Sequence, residues 1–197
     1  MDRAADVDLA RDLPLCGLTP ESAERGDYRY LAVTPQLGGD FAFNMVLPTS
    51  WLYVVPTGVI DLDEGPAPLG VFTEDPPATP TAVSIGALRA NPRVSLMEFF
   101  ASYVHIAGYA LTAMRPLDIP AFHGIDGLVD RPDGARMRLL MSESGGRVLV
   151  LAGMSLRALY PDKALVLARM LFSCEFTVTR ARVMTVTPPA GRSAPPA

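Results

Sequence analysis

An α+β fold with a mainly antiparallel sheet is what this chain predicts. Apolar runs of strand length fall into two groups, each group is strung together by short turns bearing Pro or Gly, and helical patterns separate the groups instead of alternating with single strands. The architecture expected is two β-meanders with a long helix and a shorter helix packed on the sheet. At 197 residues there is material for one full core and too little for two, so residues 28–186 are expected to form a single domain. Residues 1–27, charged and without period, read as a loosely ordered leader, and the Pro/Ala-rich stretch 187–197 reads as a mobile tail.

Tyr28–Thr34 is the first strand candidate, closed by Pro35 and Gly38-Gly39, and the apolar run Phe41–Leu47 is the second, ending at Pro48 with Trp51 three residues on. Leu52–Leu62 is β-prone but broken by Pro56 and Gly58; Leu69–Thr73 and Thr81–Leu88 complete the first meander. Next comes Ser95–Met114, read as the long helix. Ser95 followed by Glu98 is a capping box, in which the serine oxygen accepts the third helical N–H and the carboxylate reaches back to the serine N–H. Pro116 is read as the stop, since it cannot continue a helix. Glu98, Ser102, His105 and Thr112 form one polar stripe on it, leaving the rest of the circumference apolar.

The second meander is Phe122–Val129, the turn Arg131-Pro132-Asp133-Gly134, Ala135–Ser142, the turn Ser144-Gly145-Gly146 and Arg147–Gly153. Pro161 suits the first position of a helix Pro161–Phe172 with an apolar face of Leu165, Ala168, Leu171 and Phe172, and Glu175–Val186 is a last strand candidate. Trp51, Phe99, Tyr103, Ile106, Leu139, Val148, Val150, Leu167 and Leu171 are expected in the core.

Charge and composition exclude several functions. Net charge is −4, Lys163 is the single lysine, and the arginines are scattered with no run that would neutralise successive phosphates, so no nucleic-acid partner is expected. Ser95–Met114 is long enough for a membrane span, but four polar side chains within it argue for a soluble core helix. The first residues are acidic and lack an apolar signal region, Cys16 and Cys174 read as two reduced thiols, and a cytoplasmic location is expected. Hydrophobic residues make up 49% and charged residues 19%, below the usual share of about 25%, which leaves a comparatively apolar surface.

No catalytic, metal or cofactor site can be assembled from the sequence. Glu98, Ser102 and His105 share a helix face, yet two turns separate the carboxylate from the imidazole by ~10 Å, beyond the reach of a nucleophile and its base. A metal wants three or four ligands, and His123 is the one further histidine. Asp61, Asp63, Glu64, Glu74 and Asp75 lie in Pro-rich loops without calcium-loop spacing, and Gly145-Gly146 joins strand to strand instead of opening a helix onto a phosphate.

The strand that runs through proline into tryptophan, Phe43–Trp51 (FNMVLPTSW), together with the order of elements from about Asp40 to Phe176, resembles the Mog1/PsbP-like superfamily, and within it the DcrB-like family of small bacterial proteins. That resemblance implies an α/β/α sandwich used for binding rather than catalysis. Its members include photosystem accessory proteins, a regulator of a small GTPase, and chaperones that hold hydrophobic helices of type VI secretion effectors. No individual binding residue transfers with it.

The expectation is therefore a cytoplasmic binding or adaptor protein, an accessory protein or chaperone of a bacterial secretion system, with a protein partner that is a secreted effector or a machine component. A helix apolar around most of its girth needs a second covering besides its own sheet, so Phe99, Tyr103, Ile106 and Tyr109 are the candidate partner-binding residues, and a homodimer is the simplest cover. Rival readings are a structural subunit of a larger assembly and a hydrolase using His105 or His123.

Overall fold

The computed structural model describes residues 8–15, 26–33, 41–54, 67–74, 81–120 and 122–178. In chain order they form α1 (Leu9–Asp12), β1 (Tyr28–Val33), β2 (Phe41–Pro48), β3 (Trp51–Val54), β4 (Ala67–Glu74), β5 (Ala82–Arg89), α2 (Leu96–Ile106), β6 (Ala110–Ile119), β7 (Phe122–Asp130), β8 (Ala135–Ser144), β9 (Arg147–Leu156), α3 (Tyr160–Phe172) and β10 (Glu175–Val178). Cys16, Asp61, Asp63, Glu64, Asp75, the C-terminal tail and the far parts of the Leu52–Leu62 and Glu175–Val186 runs lie outside the described residues.

The fold is α+β, and its pairing is antiparallel throughout the described ladders. Seven strands form one sheet in the order β3-β4-β5-β9-β8-β7-β6, and β1-β2-β10 form a second, smaller sheet. The turn signals hold: Arg131 N–H donates to the Ala135 carbonyl at 2.8 Å and Gly134 N–H to the Arg131 carbonyl at 3.1 Å, closing the β7–β8 hairpin.

The long helix is corrected. Its start is as expected, with Ser95 Oγ accepting the Glu98 N–H at 3.3 Å and Glu98 Oε2 accepting the Ser95 N–H at 2.9 Å. The Ser95 N–H and the Ser95 hydroxyl, which donates to the same Oε2 at 2.8 Å, hold the Glu98 carboxyl below its usual range. Its end, Ile106, comes eight residues before the expected Met114. Gly108 takes φ +68°, its N–H donates to the His105 carbonyl and the Tyr109 N–H donates to the Val104 carbonyl, the paired bonds of a Schellman cap. The chain then leaves as β6, carrying Thr112 onto the sheet, and Pro116 sits opposite Ile125 in a strand that has no further neighbour among the described residues, where a missing N–H costs no ladder bond. A Cβ at Gly108 would meet nothing within 4 Å, so Gly108→Val should cost about 1–2 kcal/mol through the backbone alone. Urea unfolding of the variant measures it, and an unchanged midpoint would mean that the cap does not set the helix end.

The seven-stranded sheet has two unequal faces. One is covered by α3, the small sheet and the N-terminal segment, around Phe43, Met45, Leu47, Trp51, Phe72, Leu128, Leu140, Leu151, Leu167 and Leu171. The other carries α2, which rests Phe100 and Val104 on β6, β7 and β8. Trp51, Leu139, Val148, Val150, Leu167 and Leu171 are buried as expected, whereas Phe99 and Tyr103 are half-buried and Ile106 is 84% exposed. With Phe100 and Val104 fixing the inward direction, Ile106 is turned to the far side of the helix. On α3 Ala168, Leu171 and Phe172 of the expected face are buried, with Tyr160, Ala164, Leu167 and Met170 beside them, and Leu165 alone of that face is exposed.

Part of the expected leader is tied down. Asp12 and Leu13 are each 1% exposed, and the body captures three successive carbonyls: Tyr160 Oη donates to Asp12 O at 3.3 Å, Arg115 Nη2 to Leu13 O at 2.7 Å and Arg138 Nη1 to Pro14 O at 2.8 Å. Both arginines are anchored on Asp126, which like Arg138 is fully buried.

Candidate partner-binding face

Coverage by α2 stops at the middle of the sheet. Beyond β9, the α2-side face continues across β5, β4 and β3, roughly 14 Å of sheet width at ordinary strand spacing. Strand alternation assigns its side chains. Trp51 and Tyr53 of β3 turn toward the other face, where Trp51 is buried and Tyr53 stacks on Phe72 with ring centroids 5.1 Å apart, so Leu52 and Val54 point to the α2 side, 47% and 50% exposed. Register brings Val71 beside Val54, Ser84 beside Val71 and Ala152 beside Ser84. The floor is low in its middle, because Ser84 and Gly86 are small, and higher at its two edges.

Against α2 this floor deepens into a cavity of about 220 Å³ lined by Ser84, Gly86, Tyr103, Tyr109, Arg131 and Met154, among others. Of the four residues singled out from the sequence, the structure brings Tyr103 and Tyr109 together here. The Schellman cap does this by turning Tyr109 back beside the helix it follows. Phe99 is packed against the core beneath α2 without lining the cavity, and Ile106 stands apart in solvent. Burial raises the Tyr103 phenol above its usual range, so it is a neutral hydrogen-bonding group.

Arg131 is the cation of this cavity. Its guanidinium carbon stands 5.9 Å from the Tyr109 ring centroid, Nη2 pairs with Asp133 at 2.7 Å, and Nη1 has the Met154 sulfur at 3.2 Å as a weak acceptor. Nε is buried with no hydrogen-bond partner. The cavity thus combines an apolar floor, two phenols and one incompletely satisfied guanidinium.

The opposite face holds a larger cavity, about 440 Å³, between Phe122, Leu149, Leu151 and Phe176. Cys174 and His123 both line it, and His123 Nδ1 bonds Asp118. Burial pushes the Cys174 thiol up, so it stays protonated, and no hydrogen bond joins it to His123. His105 is exposed on α2. Among the described residues no group of three His, Cys, Asp or Glu could hold a metal ion, and no helix is long and apolar enough to cross a membrane.

No family model matches the sequence, and no curated protein matches it. Solved structures do, and the likeness is one of α+β fold. It is similar to the solution structure of cyanobacterial PsbP (CyanoP) from Synechocystis sp. PCC 6803, with a TM-score of 0.52 and 10% identity over 76% of this chain and 92% of that one. It is also similar to a mutant of the protein Mog1, with a TM-score of 0.49 and 14% identity over 78% and 97%, and to LpqN of Mycobacterium tuberculosis, described as involved in cell envelope biogenesis, with a TM-score of 0.45 and 13% identity over 85% and 99%. At such identities the likeness is one of fold.

Proposed function

We propose that the chain is a non-catalytic binding protein that takes a protein partner on the α2 side of its large sheet. The finer reading is a DcrB-like accessory protein or chaperone of a bacterial secretion system, acting in the cytoplasm. One observation carries the coarser reading: among the described residues the two faces of the same sheet are covered unequally, and on the thinly covered face Leu52 and Val54 are half exposed across from the Tyr103–Tyr109 cavity. A groove with two raised edges and a floor of small and apolar side chains offers a partner segment both area and register. The non-catalytic reading is supported by the chemistry of the nearest rival, a Cys174–His123–Asp118 hydrolase. There a nucleophile would need a lowered thiol pKa, and burial moves Cys174 the other way.

Tagged protein purified from its native cell should retain a partner that Leu52→Asp combined with Tyr103→Asp releases. Both positions are partly exposed, so the doubly substituted chain should remain folded, which its circular dichroism checks. A secreted effector with apolar helices would favour the chaperone, stoichiometric machine components the structural subunit, and a self-complex seen by light scattering the homodimer. A clean monomer with no partner, or a partner indifferent to both substitutions, would sink the reading. Turnover on a hydrolase substrate panel that disappears in His105→Ala or His123→Ala would replace it with an enzyme.

A further inference from the structure

We propose that the cleft holding Asp8–Leu15 is a peptide-recognition site for the N-terminal segment, filled in cis by the chain's own residues and able to take the same segment from a second copy. It lies on the α3 side of the sheet and does not depend on the partner-binding face described above.

The cleft is preorganised. Arg138 donates Nε and Nη2 to the two oxygens of Asp126, each at 2.8 Å, and Arg115 donates Nε and Nη2 to Asp126 Oδ2 at 2.9 and 2.7 Å, so both guanidiniums are aimed by a body carboxylate that makes no bond to the segment. Phe172 supports Arg138 from behind, with the guanidinium carbon 4.8 Å from its ring centroid. The segment takes one further N–H from each arginine and the Tyr160 hydroxyl, which donate to the carbonyls of Leu13, Pro14 and Asp12 in turn. Donors fixed in advance on three consecutive main-chain carbonyls, at the end of the helical turn Leu9–Asp12, spare part of the ordering cost of binding.

Two features make the site selective for this segment. Leu13, at 1% exposure, is its apolar anchor. The other is charge: in the body, Arg115, Arg136 and Arg138, with the more exposed Arg157, face only the carboxylates of Asp126 and Asp130, which leaves the cleft positive. Asp12, itself 1% exposed, brings a carboxylate that Arg11 of the same segment holds at 2.9 and 3.2 Å and that lies within electrostatic reach of Arg136 and Tyr160. Asp-Leu-Pro, residues 12–14, is thus the recognised element.

The second occupant follows from the connection. Residues 16–25 join the segment to Gly26, ten residues whose extended reach is at most about 33–36 Å, so a neighbour whose cleft comes within that distance of Gly26 can take the segment. Exchange of an identical element preserves every contact and is a low-cost route to a dimer. In cis the local concentration is on the order of millimolar, so the monomer prevails when dilute.

The test uses the full chain with a protease site placed within residues 17–24. After cutting, native mass spectrometry should find the segment still bound at low micromolar protein, and an isotope-labelled synthetic peptide of residues 1–18 should replace it. The same peptide with Asp12→Asn and Leu13→Ser should compete at least about 30-fold less well. Uncut chains incubated near millimolar should give a dimer that the full-length Leu13→Ser variant does not form. A segment that never exchanges, a body whose circular dichroism collapses when the segment leaves, or a substituted peptide that competes equally would each overturn the proposal, and none of these bears on the α2-side partner.

Discussion

Asp126→Ala should destabilise the domain by about 3–5 kcal/mol, because it strands two guanidiniums that the fold has taken out of water. Asp126 is fully buried and accepts from Arg115 and Arg138 through all four of its short contacts; Arg138 is itself 0% exposed and cannot turn to solvent without opening the cleft under the N-terminal segment. The cost is therefore that of an uncompensated buried charge, larger than the loss of any single hydrogen bond. Urea denaturation followed by fluorescence of Trp51 measures it, with Asp118→Ala as the control: Asp118 also pairs with a base, His123, but at 90% side-chain exposure, and its removal should move the midpoint little. Because the same arginines hold Leu13 and Pro14, Asp126→Ala should also make the first fifteen residues easier to remove by protease. A loss below about 1 kcal/mol would mean that water reaches the cleft and that the pair is solvated in the native state.

None of that network is visible to local rules. Arg115, Arg138 and Tyr160 meet Asp12–Pro14 from more than a hundred residues away, and the segment itself is short, charged and without a period that would mark it as part of a core. The reading of residues 1–27 as a loose leader used all the local information there was. The strands fared better, since each is an apolar run with a breaker at its end. Ala135–Ser144 and Arg147–Leu156 lie between turns whose residues specify them, and the α+β order of elements follows from the spacing of those runs.

At α2 the sequence separates start from stop. Ser95 and Glu98 mark the start by chemistry that only a helix uses, while Ala107–Met114 is apolar and fits a helix or a strand equally. Gly108 carried the stop signal, at the position after a helix where glycine is favoured, and Pro116 drew attention away from it. The error had a consequence for the site. Tyr103 and Tyr109 were expected on one helical flank, and they do share a cavity, but through the turn of the cap. Ile106, expected beside them, points away. Leu52 and Val54 were legible in principle, since a strand apolar at four consecutive positions must expose half of them unless both faces are covered.

The α2 side also depends on a contact that composition does not reveal. Phe100 lies on Gly127 so closely that a Cβ there would stand 2.2 Å from the phenyl ring, and Gly127 is flanked in register by Met114 and Leu139. Phe100 is fully buried, so Phe100→Ala should cost about 3–5 kcal/mol by removing its burial and leaving a cavity. Gly127→Val forces the ring and the helix outward and should cost about 1–3 kcal/mol or more, with Val104 and the Tyr103 side of the cavity displaced together. Combining the two should cost less than their sum by roughly 0.5–3 kcal/mol, since the valine occupies space that the phenyl has vacated. Urea unfolding of the three variants closes the cycle. Additive costs would show that α2 does not rest on β7 through this pair, and a partner that still binds Gly127→Val normally would show that the position of α2 does not shape the binding face.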